Sequence, residues 1–296
     1  MGVASRRGHR GFETGIEPVT ETEFIVSQPD LAAGREAARA ERRRRQWRSR
    51  IERSLYFLSP LALLLVWEAL SWSKLVDTRF FPRPSLVLVE LIQMVRSGEL
   101  VGHVSATLER VGIAFLFGAP AGVIVGLAMG LDRWVRAIVF PIVAAIYPLP
   151  KVAIFPLILI IFGLGETSKI VTVGIAVFFQ ALFPTMVGVS SIPRIYLDVG
   201  KNFGARGIDV YLKIALPGAL PSILSGFRVA LGVALIVIVS VEFVGADSGV
   251  GYLIWNSWQL FDVNRMFVGL MTAALLGYLG SVVIEELERW LVPWRL

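Results

Sequence analysis

The strongest constraint on the fold of this chain is a series of long apolar runs between residues 55 and 284. An α-helix rises about 1.5 Å per residue, so about 20 apolar residues cross a hydrocarbon core of roughly 30 Å. Because lipid offers the backbone no hydrogen-bond partner, each run is expected to be helical. The sequence therefore predicts an all-α membrane protein with about six transmembrane helices. The six runs are 55–72, 104–129, 135–162, 170–189, 223–244 and 266–284.

The composition excludes several other classes of protein. Of the 296 residues, 55% are hydrophobic and only 18% are charged, whereas soluble domains average about 25% charged residues. The chain has no cysteine and only two histidines, His9 and His103, so neither a disulfide scaffold nor a metal site is expected. An ordinary soluble enzyme is excluded on the same grounds.

Residues 1–53 form a polar, arginine-rich tail ahead of the first apolar run. The tail lacks hydrophobic periodicity over 1–34, which predicts disorder. Its arginines, concentrated in 35–53, carry most of the net charge of +6 and are also compatible with binding to nucleic acid or anionic lipid. A basic segment beside an apolar run is typical of a cytoplasmic membrane anchor. We favour that interpretation and predict no nucleic-acid partner; residues 54–296 are then the membrane domain.

The third run, 135–162, is interrupted by four prolines and by Lys151. Neither half is long enough to cross a bilayer, so we interpret the run as one broken span. Most arginine- and lysine-rich loops then fall on one side, which predicts that both termini are cytoplasmic. The exception is the basic segment 74–103, which this topology places outside. Broken helices often line transport pathways, although a simple packing kink is the alternative.

The segment between the fourth and fifth runs mixes charged residues with apolar ones at near-helical spacing. Leu197, Phe203, Val210 and Ile214 follow this spacing, and Gly204 marks a turn among them. Two short amphipathic helices are predicted here. Their apolar residues need a membrane face or a partner protein to cover them.

This segment resembles a loop of the permease subunits of ABC importers. That loop has the form Glu-Ala-Ala, three residues, Gly, nine residues, Ile, one residue, Leu-Pro. This chain has Asp198-Val199-Gly200, then Gly204, then Ile214-Ala215-Leu216-Pro217, with the complete spacing. The three opening residues differ, and only the acidic character of the first is kept. Further segments, 162–170, 217–221, 226–232 and Glu242 followed by 248–253, are similar to the sulfonate, taurine and nitrate-type branch.

The resemblance covers about residues 55–296, with a core permease region at about 101–288, and it implies an assembly. A second permease copy, expected to be identical, would pair with this chain. Two ATPase subunits would bind the loop and use ATP and Mg²⁺. An extracytoplasmic binding protein would deliver a small, anionic solute such as a sulfonate, taurine, nitrate or bicarbonate. The residues expected to dock the ATPase are Asp198, Gly200, Phe203, Gly204, Ala205, Arg206, Asp209, Ile214, Leu216 and Pro217.

The chain itself carries no phosphate-binding loop of the Gly-x-x-x-x-Gly-Lys-Ser/Thr type. We therefore expect it to bind no cofactor and to be no enzyme, with ATP hydrolysis supplied by the partner. The competing hypothesis is an ion-coupled secondary transporter that works without an ATPase. That hypothesis leaves the spacing of the loop unexplained.

Polar side chains inside apolar spans are costly in lipid and are often functional. Lys151, Gln180, Arg228 and Glu242 are the candidates for a pathway or gate, with an interhelical hydrogen bond as the alternative role for Glu242. Arg110 and its neighbour Glu109 are interpreted as interfacial side chains that reach water. Glycines also recur every four residues in the second run, which predicts close helix packing, including at a dimer interface. These glycines are Gly118, Gly122, Gly126 and Gly130.

Overall fold

The computed structural model describes residues 58–73 and 77–293, with isolated positions at 44, 47, 55 and 75. All regular structure in these residues is helical. Nearly all of the tail 1–53 lies outside them, so its disorder and the predicted domain boundary stay predictions. The α-helices are α1 (Leu58–Trp72), α2 (Pro84–Arg96), α3 (Glu99–Leu131), α4 (Arg133–Ile146), α5 (Phe155–Phe162), α6 (Glu166–Ser190), α7 (Arg194–Asn202), α8 (Leu216–Gly245), α9 (Val250–Gln259) and α10 (Val263–Leu291), with a 3₁₀ turn at Lys151–Ile154 and a π turn at Val210–Ala215.

Four helices in the described residues are long and apolar enough to cross a membrane, namely α3, α6, α10 and the continuous helix Val210–Gly245. Helix α4 and the Lys151–Phe162 segment meet this test only as a pair, bent by 86°. Helix α1 is apolar but shorter. The all-helical membrane fold is thus confirmed, with four spans, or five if the bent pair counts as one. The exact number of six stays a prediction.

The ends of α3 and α6 meet the start of α8 in one apolar cluster. Leu127 near the end of α3 and Val189 near the end of α6 pack with Ala219 and Ile223 of α8. We call this end of the bundle the loop end, because it carries residues 191–209. The opposite end, the far end, holds the start of α6 and the last turns of α8.

The broken segment runs between these two ends. Asp132, directly after α3, caps α4 at the loop end by accepting hydrogen bonds from the amides of Trp134, at 2.6 Å, and Val135, at 3.3 Å. The segment then reaches Glu166 at the far end, where α6 begins. Between α3 and α6 the chain therefore crosses once from the loop end to the far end, which supports one broken span. Near the end of α10, Glu288 pairs at 3.1 Å with Arg228, which lies about halfway along the helix Val210–Gly245.

Helices α3 and α6 pack closely because glycine faces the contact. A Cβ atom added at Gly118 would lie 2.5 Å from the carbonyl oxygen of Gly174, and one at Gly126 would lie 2.6 Å from that of Leu182. At Gly122 the obstacle is the carbonyl oxygen of Phe178. The predicted glycine packing is therefore found inside this chain, against α6. A dimer interface is not needed to explain it.

Gly122→Ala is expected to destabilise the chain, because the added methyl group would meet backbone that cannot move aside. Overpacking of this kind costs about 1–3 kcal/mol. Gly112→Ala is the matched control on the same helix, since a Cβ there meets nothing within 4 Å. Thermal unfolding of both variants in detergent tests this, and equal melting temperatures would contradict the packing described.

Candidate functional site

The loop between α6 and α8 begins with α7, the first of the two short helices predicted there. The end of α7 is fixed by backbone bonds: the amide of Gly204 donates to the carbonyl of Lys201 at 3.0 Å, and the amide of Ala205 donates to that of Gly200 at 2.9 Å. This pair of bonds is the Schellman arrangement that ends many helices. It requires a left-handed residue, and Gly204 has φ +86°.

The second predicted short helix is not a separate element. Residues 208–215 are helical and continue directly into α8, so the expectation of two independent helices is wrong in its second member. Pro217 lacks an amide hydrogen and would ordinarily break such a helix. The wider π turn at Val210–Ala215 changes the hydrogen-bond register just before the proline, so the helix continues through it.

Two glycines of the loop serve different purposes. A Cβ added at Gly204 would meet nothing within 4 Å, so within this chain the backbone angle alone accounts for glycine there. At Gly200 a Cβ would collide with the Cδ1 atom of Ile214. Gly200 and Ile214 therefore hold α7 against the helix that leads into α8.

The loop presents apolar side chains that nothing in the described part of the chain covers. Phe203 is 89% exposed, Ile208 67% and Ile195 62%. Charged residues flank them: Asp198 and Arg206 are exposed.

The other predicted docking residues are less exposed. Asp209 pairs with Lys213 at 2.7 Å. The remaining four are half-buried and support the loop from its own side, namely Ala205, Ile214, Leu216 and Pro217.

Lys151 lies at the break between α4 and α5, and its amine is fully engaged. It donates to the carbonyl oxygens of Tyr147 at 2.6 Å and Leu149 at 2.8 Å, beyond the last turn of α4. The amine also lies 4.7 Å from the centre of the Phe179 ring. The prolines leave carbonyls without helical partners, and Lys151 supplies donors to them.

The other pathway candidates lie between helices. Arg228 joins α8 to α10 through Glu288. Gln180 is half-buried on α6, and its carbonyl oxygen lies 2.9 Å from where a Cβ of Gly226 would stand, at the contact with α8. Glu242 is completely buried. The roles of these residues in transport stay predictions.

At the far end, a cluster of buried charges is centred on Arg110, which is only 4% exposed. The interfacial interpretation of Arg110 is therefore wrong. Its Nη1 atom donates to Glu242 at 2.7 Å and to the carbonyl of Ser248 at 2.7 Å.

The remaining nitrogen atoms of Arg110 bind Glu166. Nε and Nη2 form a bidentate pair with its carboxylate, at 2.5 and 2.9 Å, and Lys169 donates to the same carboxylate at 3.0 Å. The two cations and two carboxylates of this cluster balance one another. Glu109, by contrast, is exposed.

The same cluster caps the first turn of α9. Three successive amides, which have no partner within the helix, donate to side chains of α3 and α8: Gly249 to His103 at 3.2 Å, Val250 to Thr107 at 2.8 Å and Gly251 to Glu242 at 2.8 Å. The hydroxyl of Thr107 in turn donates to Glu242 at 3.0 Å. A Cβ at Gly249 would collide with the Glu242 carboxylate, and one at Gly251 with the carbonyl oxygen of Val239. The spacing of Glu242 and these glycines is thus explained by close approach.

Sequence reasoning singled out Glu242 and missed its partners. Thr107, Glu166 and Lys169 carry no mark of their own, because a threonine in a span or a charge at a helix end is common. Arg110 was visible as a charge inside an apolar run. Electrostatics could have predicted that Arg110 and Glu242 pair. An arginine within a membrane span needs a carboxylate partner, and Glu242 is a carboxylate within another span.

Comparison with known proteins shows which family this chain belongs to. Residues 118–295 match the family described as the binding-protein-dependent transport system inner membrane component. The chain is 33% identical over 260 residues to the taurine transport system permease protein TauC of Escherichia coli, covering 86% of this chain and 94% of that protein. It is 30% identical over 238 residues to the putative aliphatic sulfonates transport permease protein SsuC of Bacillus subtilis, covering 80% and 86%.

A third relative, the formylaminopyrimidine transport permease protein ThiX of Halalkalibacterium halodurans, is 29% identical over 245 residues, covering 83% of this chain and 96% of that protein. Among solved structures, a chain of the inward-facing MetNI methionine ABC transporter matches with a TM-score of 0.53 at 18% identity, over 63% of this chain and 91% of that chain. That likeness concerns the fold alone.

Fold and site together define a multi-pass helical membrane protein of the transport class. More specifically, the chain belongs to the family of binding-protein-dependent transport system inner membrane components, and it is a permease subunit of an ABC importer. The predicted family and branch are thereby confirmed. The competing hypothesis of an ion-coupled secondary transporter is not supported.

Lys151→Met is expected to destabilise the chain by about 1–3 kcal/mol, the usual cost of leaving polar groups without partners, because lipid would offer the carbonyls of Tyr147 and Leu149 no other donor. The methionine keeps an apolar side chain of similar length, so the change isolates the loss of hydrogen bonds to Tyr147 and Leu149. Lys213→Met is the matched control, because Lys213 is 74% exposed and makes only a surface ion pair. Thermal unfolding in detergent compares the two, and an equal effect would contradict the capping role of Lys151.

Proposed function

We propose that this permease subunit docks a cytosolic ATPase through the loop 194–217, as part of an importer driven by ATP hydrolysis. The observation that carries the proposal is the uncovered apolar surface of the loop, where Phe203 is 89% exposed. Apolar side chains exposed in this way, on a helix end that is already fixed, are typical of an interaction surface. The spacing from Asp198 to Pro217, shared with permeases of ABC importers, indicates what covers it.

The charges at the loop end support the proposed orientation. The loop end carries a set of basic residues on the loop and in the first turn of α4, and such residues favour the cytoplasmic side. We accordingly assign the loop end, together with both termini, to the cytoplasmic side of the cell membrane. The far end then faces the extracytoplasmic binding protein. The basic residues are Arg133, Arg136, Arg194, Lys201, Arg206 and Lys213.

The proposed substrate is a small anionic solute of the sulfonate type. Support comes from the relatives, two of which are named for taurine or aliphatic sulfonates. A relative of similar identity is named for formylaminopyrimidine, so the binding protein is assigned the choice of solute. Two identical permease copies are proposed for the assembly. ATP and Mg²⁺ are assigned to the ATPase, with none bound by this chain.

Reconstitution tests this function directly. Purified permease, ATPase and binding protein in proteoliposomes should take up radiolabelled taurine only with internal ATP, and collapse of ion gradients should leave uptake unchanged. Uptake that continues without the ATPase, or that stops with the ion gradient, would overturn the proposal. Aliphatic sulfonates and nitrate tested in parallel identify the solute.

Phe203→Ser is expected to abolish most binding of the ATPase, because a polar side chain replaces the most exposed aromatic group of the loop. Phe203→Leu is the matched control, since it keeps an apolar side chain at the same position. Co-purification of the ATPase and ATP-dependent uptake are measured for both variants. Normal co-purification with Phe203→Ser would contradict the docking role.

Two substitutions at Gly204 distinguish the effect of the backbone angle from the effect of close contact with the ATPase. Gly204→Val should lose coupling, because a β-branched residue strongly disfavours the positive φ of +86°. Gly204→Asn should keep most of it, since asparagine tolerates this conformation and no atom of the chain lies within 4 Å of the added Cβ. Uptake per ATP hydrolysed is the measurement. Loss of coupling with both variants would instead show that the ATPase packs directly on Gly204.

A further inference from the structure

We propose that the charge cluster around Arg110 binds α9 rigidly to α3 and α8, so that movement of the loop is carried along α8 to the far end. Arg110 and Thr107 are then positioning residues for transport: both side chains are buried, and both determine where α9 lies. This inference rests on the proposed function, because it assumes that an ATPase displaces the loop.

A single continuous helix connects the loop to the charge cluster. The helix Val210–Gly245 is 36 residues long, which corresponds to about 54 Å. Its first turns belong to the loop, where Ile214 contacts Gly200 of α7. Glu242 lies in its last turn, at the opposite end of the bundle. One element therefore joins the proposed motor surface to the charge cluster.

Glu242 connects α8 strongly to its neighbours. Its carboxylate has no exposed surface and accepts hydrogen bonds from Thr107, Arg110 and the amide of Gly251. Removing one partner of a buried ion pair is strongly destabilising, because a buried charge is left uncompensated. Helix α8 is therefore unable to slide past α3 or α9 at this point without losing these bonds.

Helix α9 is positioned by side chains of other helices. Its first three amides are held by side chains of α3 and α8, and no side chain within α9 caps them. Gly249 and Gly251 let this turn approach Glu242 more closely than any other residue would allow. The position of α9 is thus dictated by the cluster. Its other end carries Trp258, which is 54% exposed at the far end.

The absence of cysteine from the chain makes a direct test available. Trp258→Cys introduces one reactive group on α9 of the complete reconstituted importer. Its labelling by a membrane-impermeant maleimide is compared without nucleotide and with ATP trapped by vanadate. The proposal expects a several-fold difference between the two states. Equal labelling in an importer that takes up solute normally would overturn it.

Thr107→Val in the Trp258→Cys chain removes the hydroxyl that joins Glu242 to α9 and keeps the shape of the side chain. The expected result is loss of the ATP-dependent difference in labelling and of solute uptake, while ATP hydrolysis continues. Thr107→Ser should restore both. Thr272→Val is the matched control, because the hydroxyl of Thr272 bonds only to the carbonyl of Val268 in its own helix. An unchanged labelling difference in Thr107→Val would contradict the proposal.

A second measurement needs no change in the cluster. Spin labels at Trp258→Cys on α9 and Ile236→Cys on α8, with labelled chain diluted into unlabelled chain, report the distance between these helices. Ile236 is 69% exposed and so accepts a label. The distance should be the same with and without trapped ATP, and a change in it would overturn the rigid connection. Uptake without an ATPase would instead refute the proposed function, so the two failures are distinguishable.

Discussion

A bilayer interior contains no water, so backbone groups and charged side chains that lie within it need partners supplied by the protein. Arg110 shows how completely this is achieved. Its guanidinium group has five N–H bonds, and these bonds meet Glu166, Glu242 and Ser248 at distances of 2.5 to 3.1 Å. Helices α3, α6 and α8 and the start of α9 are joined at this one residue, so the arrangement of the far end depends on it.

The same constraint explains the irregular parts of the fold. Prolines interrupt the segment between α4 and α5, and Lys151 provides donors to the carbonyls that the break exposes. At the start of α8, a π turn carries the helix through Pro217. The first turn of α9 is capped by side chains from two other helices. Each irregularity survives because a particular side chain or turn satisfies the backbone there.

Hydropathy and local spacing predicted the all-helical membrane fold, the position of the loop and the turn at Gly204, because these depend on residues close together in sequence. Contacts between distant residues were harder to predict. Arg110 and Glu242 are 132 positions apart, and nothing in a single sequence states that they meet. The second loop helix was misjudged because apolar spacing does not show where a helix ends, and the π turn lets this one continue into α8. The glycines of α3 predicted close packing, but spacing alone did not identify α6 as the partner.

The backbone bonds that end α7 have a consequence for assembly. Since Gly204 and Ala205 already close that turn in the isolated subunit, little conformational entropy is lost when a second protein covers it. The favourable free energy of association can then come mainly from dehydration of the aromatic and aliphatic surface. If the ATPase binds there as proposed, it meets a preformed surface, and the association rate is not limited by folding of the contact region.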